Sequence, residues 1–75
     1  MNNKYWSSFV YQEVTGIARK IETPFYGDMI VNAKWEPDSP YFTEQLRNEA
    51  ANQVEVTLDR SISRHDIVIL NWKRM

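Results

Sequence analysis

The chain has no cysteine, a single histidine, two glycines and three prolines. The missing cysteines exclude a disulfide framework and a thiolate metal site, and His65 alone supplies no histidine cluster. Neither Gly16 nor Gly27 stands in a G-x-G-x-x-G or Walker pattern, so each reads as a turn or bulge position and phosphate-cradling chemistry has no carrier. The longest strongly apolar run is Ile67-Val68-Ile69-Leu70, far short of the roughly 20 residues of a membrane-spanning helix. The opening Met1 to Ser8 has no apolar stretch of signal-peptide length. These absences favour a cytoplasmic chain with no membrane association. Low-complexity tracts, internal repeats and Gly/Ser linkers are missing too, so 75 residues are expected to form one small domain, 1–75.

Aromatic surface is what the chain has in quantity: three Trp, four Tyr and three Phe. Tyr5 to Val14 alternates as a strand, with Trp6, Ser8, Val10, Gln12 and Val14 on one face and Tyr5, Ser7, Phe9, Tyr11 and Glu13 on the other. A helical stripe through Trp6, Phe9, Val10, Glu13, Val14, Ile17 and Ile21 competes, but Thr15-Gly16 would interrupt it. Residues 17–23 read as a second short strand ended by Pro24, which lacks a backbone donor. Phe25 to Asp28 reads as a turn, and Met29, Val31, Ala33 and Trp35 then alternate with Ile30, Asn32, Lys34 and Glu36 as a half-buried strand.

Ser39-Pro40 has the layout of a helix N-cap followed by proline at the first helical position. Phe42, Leu46 and Ala50 at four-residue spacing carry that helix to about Asn52. Val54, Val56 and Leu58 alternate with Glu55, Thr57 and Asp59 as a further strand, set to form a hairpin with a last strand in which Val68, Leu70 and Trp72 share a face. The expected fold is therefore α+β, a two-layer domain with an antiparallel sheet of four to five strands packed by one helix, in the order β-β-β-α-β-β.

Chemistry has few carriers. Asp28, Glu36 and Asp38 could approach a divalent cation, but no EF-hand pattern surrounds them and solvated loop charge accounts for them. His65-Asp66, close to Ser61 and Ser63, lacks the separation from which catalytic triads are usually assembled and reads as a polar turn. The expectation is thus no enzyme, no cofactor and no metal.

Binding is the function class left. If the first strand turns Trp6 and Val10 toward the helix, then Tyr5, Phe9 and Tyr11 form an outward aromatic patch, and Glu44, Arg47 and Glu49 offer a polar helix face. A protein partner, or self-association as a homodimer, through the sheet face or a sheet edge is the favoured reading. The charge is uneven: residues 36–59 carry six acidic groups and one basic, whereas residues 60–75 carry four basic and one acidic, an asymmetry able to orient an encounter. The alternative is a nucleic-acid module in which exposed aromatics stack bases beside Lys4, Arg19, Lys20, Arg64, Lys73 or Arg74. The scatter of these cations and the net charge of −1 weigh against it.

Overall fold

A computed structural model describes residues 3–12 and 24–75. Strand β1 (Lys4–Tyr11) is followed by β2 (Phe25–Asn32), helix α1 (Pro40–Leu58), a 3-10 turn over Arg64–Asp66, and β3 (Ile67–Arg74). The sheet order is β2-β1-β3, with both outer strands antiparallel to β1. The two edge strands therefore run parallel to each other, and α1 makes the crossover between them over one face of the sheet.

Among the described residues there are three strands and one α-helix, which corrects the expected sheet of four to five strands and its β-β-β-α-β-β order. The strand expected at 17–23, and the end of the first strand at 13–14, lie outside the described residues. The strand expected at 54–58 is instead the last part of α1. The spacing of Phe42, Leu46 and Ala50 continues unbroken to Val54, and no glycine or proline intervenes, so the helical period prevails over a short period-2 coincidence. Val54 is fully buried while Val56 and Leu58 are exposed, and the hairpin expected between this segment and β3 is replaced by pairing of β3 with β1.

Helix α1 starts where Ser39 Oγ accepts the Tyr41 N–H at 3.2 Å, with Pro40 in the first turn. It ends at Asp59, which takes the left-handed conformation (φ 53°, ψ 46°), while the Arg60 N–H donates to the Glu55 carbonyl at 3.3 Å. The Glu55 carboxylate then accepts the Ile62 N–H at 3.2 Å, and this turns the chain back along the helix toward β3.

The core lies between α1 and the inner sheet face. One cluster joins Phe9, Tyr11 and Ile67 to Ala50, Ala51 and Val54; a second joins Tyr5, Val31 and Ala33 to Phe42 and Leu46; Met29 and Ile69 touch both. Ala50 and Ala51 are small enough to let the helix approach the Phe9 ring. Burying side chains of the size of Phe, Leu or Ile stabilises by about 1.5–3 kcal/mol each, and that is the main driving force available at this size.

Two features set which residues face that core. Phe9 pairs with Gly27, and a β-carbon at Gly27 would stand 2.6 Å from Phe9 Cζ, so the ring fills the space the glycine leaves. Hence Phe25 to Asp28 is the first half of β2 rather than a turn, and the strand stops at Asn32 rather than running through Trp35. In β3, Ser8 pairs with Asn71 and Phe9 with Ile69, so Leu70 is the extra residue of a bulge. The bulge turns Trp72 to the helix side, where it meets Tyr5 (5.9 Å) and Phe42 (5.3 Å) edge-on. Val68, Leu70 and Trp72 thus do not share one face. Ser7, the one buried polar residue among those described, donates its hydroxyl to the Asn71 carbonyl at 2.9 Å.

Candidate functional site

The register places three rows of side chains on the sheet face turned away from α1. Tyr26, Val10 and Val68 form an apolar row; Asp28, Ser8 and Asn71 form a polar row; Ile30, Trp6 and Lys73 form a mixed row, with Asn32 and Lys4 beyond it. No described element covers these rows. Tyr26 is 69 % exposed, Ile30 61 % and Val68 54 %, while Trp6 and Val10 on the central strand are half-buried by their neighbours. The Trp6 indole N–H donates to Asp28 Oδ2 at 3.4 Å, so the carboxylate stands within the aromatic surface with a fixed neighbour.

This face is the reverse of the one expected to be free. Tyr5, Phe9 and Tyr11 are 1 %, 0 % and 5 % exposed beneath α1, and they cannot form an outward patch. Both faces of β1 carry aromatic bulk, and the Phe9 side is the one packed inward, its ring filling the space over Gly27. Sequence reasoning misses Tyr26, Ile30 and Val68 because it places Tyr26 in a turn and puts Val68 on one face with Leu70 and Trp72. The pairing of a large residue in β1 with a glycine in β2 is the signal that could have found them.

The edges of the sheet differ from its face. On β2, Gln45 Nε2 donates to the Asn32 carbonyl at 2.9 Å and Gln53 Nε2 donates to the Asp28 carbonyl at 3.3 Å, so α1 caps outward carbonyls of that edge. On β3 the bulge breaks the ladder geometry and Lys73 and Arg74 end the strand. Bulges, terminal cations and covering helices are features that discourage strand addition.

Of the remaining residues singled out from sequence, Glu44, Arg47 and Glu49 are exposed on α1, away from the open face. Among the basic residues, Lys4 and Lys73 lie beside Trp6 on the open face. Arg74 pairs with Tyr5 and sets its guanidinium 6.0 Å from that ring on the helix side. Arg64 donates to Asn48 Oδ1 (2.6 Å) and Asn52 Oδ1 (3.4 Å) on α1. Arg19 and Lys20 lie outside the described residues, and of the four described cations two, Lys4 and Lys73, come together on the open face. His65 is exposed, and Ser63 Oγ accepts its backbone N–H at 3.3 Å, a local turn bond rather than a nucleophile-to-imidazole contact. Among the described residues no group of three or more His, Asp or Glu side chains is placed to hold a metal ion, and no helix is long and apolar enough to cross a membrane.

No protein-family model matches the chain, and neither a curated protein nor a solved structure shows significant similarity to it.

Proposed function

We propose that this chain is a non-catalytic, cytoplasmic protein-interaction module that receives a partner protein on its open sheet face. The observation that carries this reading is the set of contiguous outward rows holding Trp6, Val10, Tyr26, Ile30 and Val68, with no described layer over them. From strand spacing and rise the face measures about 300 Å² in plan, within the size of patches that are often functional on monomers. That is well under the roughly 800 Å² per partner of a standard interface, so the association is of the weak, exchangeable kind unless flanking surface adds to it. The blunted edges support face docking over strand addition.

The rows also complement a second copy poorly when the strands of the two sheets are aligned. In a face-to-face pair about an axis along β1, Lys4 meets its own copy and Ile30 meets Lys73; about the perpendicular in-plane axis, Ile30 meets Asp28 and Lys73 meets Asn71. Neither arrangement joins opposite charges. The complementary partner has a flat apolar surface with a cation opposite Asp28 and an acid opposite Lys4 and Lys73.

The test places a photo-crosslinking side chain at Ile30 and, as a control on the far side, at Thr43. One identified partner should be captured from position 30, lost when Tyr26→Asp is added, and absent from position 43. Capture only of the chain's own copy refutes the hetero-partner reading, and equal capture from both positions refutes the face itself.

A second reading rests on the placement of Lys4 and Lys73 beside Trp6, with Tyr26 as another exposed ring: a single strand of nucleic acid could stack and pair its phosphates there. Asp28 in the middle of the face opposes it. Titration with labelled single-stranded and duplex oligonucleotides at physiological salt separates the two, since saturable binding lost in Lys73→Glu supports the nucleic-acid reading.

A further inference from the structure

On the side of the molecule away from the open sheet face, the segment joining β2 to α1 folds over the solvent-facing stripe of the helix. Tyr41, Glu44, Gln45 and Glu49 recur at helical spacing along that stripe, and with Trp35 and Lys34 they line a cleft of about 270 Å³. The volume lies just under the range of about 300–1,000 Å³ typical of drug-sized ligands and corresponds to a single large side chain.

The cleft is held in shape before anything enters it. Gln45 works as a clamp: its Oε1 accepts the Lys34 N–H at 2.9 Å while its Nε2 donates to the Asn32 carbonyl at 2.9 Å. At the other end of the segment the Ser39 N–H donates to the Glu36 carbonyl at 2.9 Å, and Ser39 Oγ fixes the Tyr41 amide. Trp35 and Tyr41 are thereby held with ring centroids 5.6 Å apart and tilted by 39°. Trp35 remains 40 % and Tyr41 56 % exposed, which is large aromatic area left in water on a small protein.

The lining has a definite chemical preference. Two aromatic faces attract a cation through their quadrupoles, and Glu44 and Glu49 supply carboxylates to pair with it. Among the described residues neither carboxylate has a hydrogen bond or ion pair, and Lys34 at the rim joins neither of them. An anion would meet these carboxylates, and an uncharged apolar group would strip water from them without compensation. We propose that the cleft receives the cationic side chain of an arginine or lysine presented by a peptide segment of a partner. Arginine suits it better, because a planar guanidinium stacks on Trp35 while its edge reaches a carboxylate. The site is independent of the open face and stands or falls separately.

The experiment is a titration of the full chain, ¹⁵N-labelled, with the capped peptide acetyl-Gly-Arg-Gly-amide, followed by amide and indole N–H shifts. The control is the same peptide with citrulline, which keeps the shape of arginine and lacks its charge. Saturable shifts are expected at the Trp35 indole and at Tyr41, Glu44 and Gln45, absent with citrulline. Affinity should fall about tenfold in Trp35→Ala. It should fall at least as far in the double variant Glu44→Gln, Glu49→Gln, and stay unchanged in Asp59→Asn, which lies at the far end of the helix. Dispersion of the remaining resonances reports that each variant is folded, and the Glu→Gln pair keeps the aromatic surface intact. Equal response to arginine and citrulline, shifts that survive in both sets of variants, or no saturable shift at all would overturn the proposal.

Discussion

Replacing Gly27 by alanine tests the packing decision on which the fold turns. The added β-carbon meets Phe9 Cζ at 2.6 Å and the two adjacent ring carbons at 3.1 and 3.2 Å, against an ordinary contact of about 3.5–4.0 Å. The ring must therefore retreat by about 1 Å, into a cluster where Phe9, Ala50 and Val54 are fully buried and no solvent gap can absorb it. Overpacking of this kind costs about 1–3 kcal/mol. No described glycine has a positive φ, so alanine brings no backbone penalty and recovers about 0.4–1 kcal/mol by restricting the unfolded chain. The net expectation is a loss centred near about 1.3 kcal/mol and no larger than about 2.6 kcal/mol, read as a lower urea midpoint at unchanged slope, or about 5–10 °C in Tm at the central value. Phe9→Leu shortens the ring's reach, so in the Gly27→Ala background it should cost less than it does alone; a double-mutant cycle gives that coupling directly. A Gly27→Ala protein as stable as the parent, with no coupling to position 9, would falsify the placement of Phe9 over Gly27 and with it the assignment of inner and outer faces.

Leu46→Ala, at a fully buried position between α1 and the sheet, should destabilise by about 2–5 kcal/mol, whereas Leu70→Ala at the half-exposed bulge should cost less than about 1 kcal/mol. Denaturant melts of the two variants side by side check this, and similar losses would mean that the bulge is wrongly placed. Removing both β2 edge caps with Gln45→Ala and Gln53→Ala should cost about 1 kcal/mol for each hydrogen bond lost and raise concentration-dependent association. Light scattering that stays at the parent level would mean that the two glutamines do not protect that edge.

The parts of the fold legible in the sequence are those where a local rule has one solution. Ser39-Pro40 marks the start of α1, the four-residue spacing of Phe42, Leu46 and Ala50 marks its inner face, and the apolar run from Ile67 marks β3. Where two periods fit, the shorter window misleads: Val54, Val56 and Leu58 alternate, yet they extend a helix whose inner stripe already includes Val54. In β3 the alternation is real but changes phase at Leu70, and a bulge of one residue leaves no mark in composition.

The open face was hidden for a related reason. Alternation along β1 defines two faces without saying which is covered, and Trp6-Val10 and Tyr5-Phe9-Tyr11 are each apolar enough to be core. The choice is made across strands: Phe9 requires a partner with no side chain, and Gly27 is the residue its register provides. Once that pair is fixed, period-2 geometry carries Trp6, Val10, Tyr26 and Ile30 to the outside together. The exposed rows are thus a consequence of how the core packs, while their apolar character is not, since polar residues at Tyr26 and Ile30 would leave the Phe9–Gly27 pair undisturbed. Tyr26→Ser and Ile30→Ser should accordingly change stability little in denaturant melts, and a loss as large as that of Leu46→Ala would mean that this face is covered rather than open.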